Sequence, residues 1–150
     1  MADFLALLEN SLIIHRCTIF KWEEYRFQDT GEIKDKYWIT LNCKLNEFPI
    51  NVILPTSQWD NHYYSKKNHM IDCVIIERGE SKYFNAEKTI LDLKNIISEE
   101  EHKVREAFED GFLCELGSLE NNLVERLEKA INDSETLEPF FIDELLCKKQ

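Results

Sequence analysis

The sequence predicts an α+β protein, mainly β, in which an antiparallel strand-rich body is followed by C-terminal helices. Three observations lead to that class. Between residues 11 and 97, apolar residues recur in short β-branched runs or alternate with polar ones, separated by turn residues. From Ser98 the spacing changes to three and four, the period of amphipathic helices. A chain of 150 residues with 43% hydrophobic and 31% charged residues suits one soluble domain with one core. The predicted organisation of that domain, 1–150, is a short N-terminal helix at 1–10, a β body at 11–97 and helices at 98–147.

Taken in order, Phe4, Leu5, Leu7 and Leu8 predict the short docking helix. Leu12 to Phe20, with alternation continuing through Trp22 and Phe27, predicts a bent or interrupted strand. Asp29-Thr30-Gly31 is a hairpin turn signal before a partner strand at Lys36–Cys43. The organising segment is Phe48–Gln58. Ile50, Val52, Ile53 and Leu54 form a buried strand between Pro49 and Pro55, and Pro55, without an amide hydrogen, should end regular pairing. Trp59–Met70 has no clear period and reads as an irregular loop.

Ile71–Ile76 predicts another strand, Arg78-Gly79-Glu80 a turn, Lys82–Phe84 the start of the return strand, and Thr89–Ile96 a short strand leaving the sheet. Ser98-Glu99-Glu100-Glu101 reads as a capping box opening a helix that ends near Gly111. Ser118 opens a second helix striped by Leu119, Leu123, Leu127 and Ala130 or Ile131. The tail, with Leu137, Phe140, Phe141, Leu145 and Leu146, is too apolar to be left in water. Stripe and tail together exceed what one small body covers, which predicts a twofold homodimer.

The net charge of −11 is uneven. Residues 98–150 carry six Lys and Arg against fifteen Asp and Glu, whereas residues 61–97 carry six against five. That balance argues against general nucleic-acid coating and leaves room for a local basic groove. Five widely spaced cysteines without a C-x-x-C pair predict reduced thiols and no disulfide. His62, His69 and Cys73 are too loosely spaced for a zinc site, so no metal or cofactor is expected. No apolar run spans a bilayer and the start lacks a basic signal region, which predicts a cytoplasmic protein without membrane contact.

The strand ending in Pro55-Thr56-Ser57-Gln58, the segment F-N-A-E-K-T-I-L-D-L-K-N-I and the helix L-E-N-N-L-V-E-R-L-E-K-A-I resemble, over residues 18–133, the MazF/PemK-like toxins of bacterial toxin-antitoxin systems. The resemblance implies a small SH3-like β-barrel with helices, a homodimer, an antitoxin partner and metal-independent cleavage of single-stranded RNA. Thr56 matches the strand-end Thr or Ser of that family's cleavage site. The family's catalytic Arg is not matched: Asp35-Lys36-Tyr37-Trp38-Ile39 stands where R-P-x-x-V begins the second hairpin strand. The Gly-Asp of its first strand is replaced by Thr18-Ile19-Phe20-Lys21.

Metal-free RNA cleavage needs a base for the 2′-hydroxyl and a cation or donor for the phosphorane. Thr56 with Lys36 or Arg26 is therefore the candidate catalytic set, and His62 or His69 the candidate proton-transfer group. Lys34, Ser57, Gln58, Trp59, His62, Tyr63, Lys66 and Lys67 would contact RNA, since interleaved aromatic and basic residues stack bases and touch phosphates. Strand-mouth hydroxyls also bond local backbone, and such a loop also serves as plain amphipathic surface. Three readings stand side by side: an endoribonuclease, a degenerate relative that binds RNA or protein without cleaving, and a non-enzymatic β-barrel interaction module for a protein partner.

Overall fold

The computed structural model describes residues 14–26, 30–44, 47–57 and 70–148. The elements are β1 (Thr18–Arg26), β2 (Ile33–Thr40), β3 (Ile50–Ile53), β4 (Cys73–Glu77), β5 (Lys88–Asp92), β6 (Ile96–Glu99), α1 (Glu101–Glu109), β7 (Leu113–Ser118), α2 (Asn121–Asn132) and α3 (Pro139–Leu145). The expected helix at 1–10 lies outside the described residues.

The first three strands form the expected antiparallel meander, with Ile19 opposite Ile39 and Ile39 opposite Ile53. They belong to a five-stranded sheet ordered β6-β3-β2-β1-β7, while β4 and β5 pair separately. The predicted antiparallel, strand-dominated class holds, and the described ladders contain no closed barrel. β6 and β7 are the two ends of the larger sheet. Among the described residues, a bridge links the segment after β3 to the small sheet: Thr56 and Ile90 exchange backbone hydrogen bonds of 3.0 and 2.8 Å.

Each face of the large sheet supports a core. Ile19, Ile39, Leu41 and Ile53 pack with Val74, Ile76 and Leu91 of the small sheet and with Leu123, Leu127, Ile131 and Leu145 of α2 and α3. Phe20, Trp38, Ile50 and Val52 pack on the opposite face against Val104 and Ala107 of α1. Alternation along each strand produces this division, because successive side chains point to opposite faces.

Several expectations are corrected by tertiary contacts. Ser98 does not cap α1. It sits in β6 opposite Asn51, and its hydroxyl donates to Asn51 Oδ1 at 2.6 Å across the ladder. The helix starts after Glu100, which makes no side-chain cap, and ends before Gly111, whose φ of 82° places it in the left-handed region. The segment 98–147 is thus not purely helical. It contributes the end of β6 and all of β7, and Ser118 closes β7 opposite Thr18 rather than opening α2. The return strand begins at Lys88, with 82–84 irregular before it.

The α2 stripe is buried as expected, but in its own chain. Phe141 and Leu145 pack on the same core. Phe140 stays 65% exposed, since neighbours on a helix point about 100° apart and Phe141 faces inwards. The expectation of five reduced thiols is also overturned. Cys43 and Cys147 form a disulfide, and Cys17, Cys73 and Cys114 are not disulfide-bonded. The pairing joins residues 104 apart in sequence, so no spacing rule reveals it.

Candidate functional site

The β1–β2 hairpin builds the most distinctive cleft among the described residues. Its register runs Phe20 with Trp38 and Trp22 with Lys36, then slips so that Tyr25 meets Lys34. Glu24, with φ 57°, forms the bulge, and its amide donates to Asp35 Oδ1 at 3.1 Å. An inserted residue reverses the alternation that follows it, which puts Trp22 and Tyr25 on one face although they are three apart. Their rings meet edge to face at 5.1 Å, and Trp22 also packs on Trp38 at 4.7 Å.

Opposite these rings, β6 carries Glu99 onto the same face, and α1 presents Lys103, Glu106 and Ala107 at helical spacing, with Asp110 just after its end. Together with Glu24, Arg26 and Phe112 they enclose a cleft of about 490 Å³. Glu99 is only 5% exposed, and the Tyr25 hydroxyl donates a hydrogen bond to its Oε1. A carboxylate held this deep by a phenolic donor is a costly feature for a small fold unless the site uses it. The lining carries four carboxylates, Glu24, Glu99, Glu106 and Asp110, against two cations, Arg26 and Lys103. The cleft is therefore acidic with an aromatic wall.

The sequence-predicted site residues fall into separate places. Arg26 lines the cleft. Lys34 and Lys36 flank it on the β2 side, across from Tyr25 and Trp22. Lys34 is paired with Glu32 at 3.1 Å. Burial, and secondarily the neighbouring Lys34, lower the Lys36 ammonium below its ordinary value. Thr56 is on the other side of a broken ladder. Continuing the register of Ile39 with Ile53 and Thr40 with Val52 would set Thr56 across from Lys36, yet pairing stops at Ile53 and Thr56 joins β5. Pro55 supplies the expected stop. Ser57 is exposed beyond that bridge. Gln58, Trp59, His62, Tyr63, Lys66, Lys67 and His69 lie outside the described residues.

Glu99 and Tyr25 were not singled out by sequence reasoning. The three-acid run Glu99-Glu100-Glu101 looks like solvated helix N-terminus, and no local pattern marks one of those acids as turned inward. Such a site can bind a cation or a basic group by charge and ring face. No protein-family model matches the chain, and no curated protein matches it.

Proposed function

We propose that this chain is a non-enzymatic interaction module that binds a basic segment of a protein partner in the cleft between β1 and α1. The observation that carries the reading is Glu99, a buried carboxylate facing a cleft with an acidic lining and the rings of Trp22 and Tyr25. A guanidinium or ammonium entering there meets an acceptor for its N–H groups and an aromatic face for its charge. The net charge of −11 favours encounter with a basic partner by steering. In this reading the likeness to MazF/PemK-like toxins is that of a degenerate relative that binds without cleaving.

RNA binding is the second reading, favoured by Lys34 and Lys36 on the hairpin face that holds Trp22. Calorimetric titration of the full chain with an oligo-arginine hexapeptide and with a short mixed-sequence single-stranded RNA in EDTA separates the two. The expected result is peptide binding that weakens at least tenfold in Glu99→Gln and falls with salt, with no RNA binding. RNA binding or cleavage without peptide binding overturns the proposal in favour of the second reading.

A further inference from the structure

We propose that the Cys43–Cys147 disulfide is a thiol–disulfide exchange site, at which an external dithiol attacks Cys147 and Cys43 departs as the leaving thiolate. The bond ties the segment after β2 to the turn after α3, and it borders a cavity of about 510 Å³. Cys147 is exposed whereas Cys43 is half-buried, so an incoming thiolate reaches Cys147 more readily. The two sulfurs differ further in what stands beside them. Arg16 Nη1 lies 3.2 Å from Cys43 Sγ and is held there by the carbonyls of Leu41, at 3.0 Å, and Leu145. A fixed guanidinium stabilises a thiolate at Cys43 and so makes it the better leaving group. Glu128, 3.6 Å from Arg16 Nε, offsets part of that charge from the far side of the guanidinium.

The exchange balances as follows. One thiolate of the dithiol forms a bond to Cys147 Sγ while the protein S–S bond breaks and its electron pair goes to Cys43 Sγ. The second thiol of the reductant, after losing its proton, attacks its own sulfur in the mixed disulfide and releases Cys147 as thiolate. Two electrons pass to the protein, the dithiol ends as a disulfide, and both cysteines take up a proton. The new Cys43 thiol has acceptors in place, with the Leu145 carbonyl 3.1 Å and the Glu144 carbonyl 3.4 Å from its sulfur. No other cysteine is needed: Cys17 is buried beneath the core, and Cys73 and Cys114 belong to β4 and β7.

The test uses the folded full chain. Reduced glutathione, a monothiol whose mixed disulfide persists until a second glutathione attacks it, is added without denaturant. The reaction is quenched with acid and free thiols are alkylated before peptide mapping by mass spectrometry. The glutathionyl group is expected on Cys147 with Cys43 alkylated. Glutathione on Cys43, or no reaction short of unfolding, overturns the proposal. Reduction rates with dithiothreitol provide the second arm. Arg16→Gln is expected to react roughly three- to tenfold more slowly, from a leaving-group pKa change of about one to two units at a Brønsted slope near 0.5, and Arg16→Lys close to wild type. Equal rates in wild type and Arg16→Gln, with folding checked by circular dichroism, also overturn it. If Arg16→Gln does not fold, the attack site in wild type decides the matter.

Discussion

Tyr25 donates its hydroxyl to the carboxylate of Glu99, a contact between residues 74 apart that ties the first hairpin to the last strand before α1. Both are buried, so removing the donor leaves a carboxylate short of a partner in a poorly solvated place. Tyr25→Phe should destabilise the fold by about 1 to 3 kcal/mol in urea unfolding near neutral pH. Glu99→Gln keeps an acceptor for the hydroxyl and should cost less. A larger loss in Glu99→Gln than in Tyr25→Phe would show that the pair is not held as described.

Asp72 fastens the connection between α2 and α3. Its carboxylate accepts from the backbone amides of Glu135 and Thr136, at 3.1 and 2.9 Å, and from the hydroxyls of Ser134 and Thr136. Partial burial alone would raise its pKa, but these donors outweigh it and hold the carboxyl below its ordinary 3.8. A folded pKa below the unfolded one gives stability that is present above the unfolded value and is lost as pH falls through the folded one. Asp72→Ala should therefore cost about 1 kcal/mol near neutrality, comparable to losing a cap, and the gap to wild type should shrink below about pH 3.8. Acid titration of both proteins by circular dichroism measures it.

Lys36 works in the opposite sense. Half-burial, reinforced by Lys34, lowers its pKa in the folded chain, so the charged form is disfavoured by folding. Stability then rises with pH towards the unfolded value of about 10.4. Lys36→Met should be more stable than wild type at pH 7 by a few tenths of a kcal/mol, since solvent screens a half-exposed group. The difference should narrow as the pH approaches 10. A destabilised Lys36→Met in thermal melts would refute this.

Gly117 lies in β7 with φ 152°, where a Cβ would come within 1.9 Å of the Tyr83 hydroxyl. The Tyr83 ring packs over this strand at the slip in the β1–β7 register, where Ile19 meets Gly117 and Phe20 meets Glu115. Gly117→Ala should cost about 1 to 3 kcal/mol through overpacking. Tyr83→Ala in the same chain should recover part of that loss by clearing the ring. Strictly additive costs in the double-mutant cycle would rule out the clash.

The hairpin signal at Thr30-Gly31, the buried run Ile50–Ile53 bounded by two prolines, the turn at Gly79 and the Leu123, Leu127, Ile131 stripe were all legible in the chain. Each depends on local conformational preference or on a period within one element, which neighbouring residues alone can express. Arg26, expected as a candidate catalytic cation, lines the cleft between β1 and α1.

Only the folded chain decided the rest, and in each case through a partner far away in sequence. The bulge at Glu24 turned Trp22 and Tyr25 to one face, which strict alternation would forbid. β6 claimed Ser98 and Glu99 from the expected helix because Asn51 and Ile50 offered ladder partners. Cys43 found Cys147 because α3 packs its Leu145 into the core beside the β2 exit. Free energy from burying distant surfaces against each other exceeds the weak local propensities of such short segments, so the cleft's acid and its tyrosine appear only once those surfaces have met.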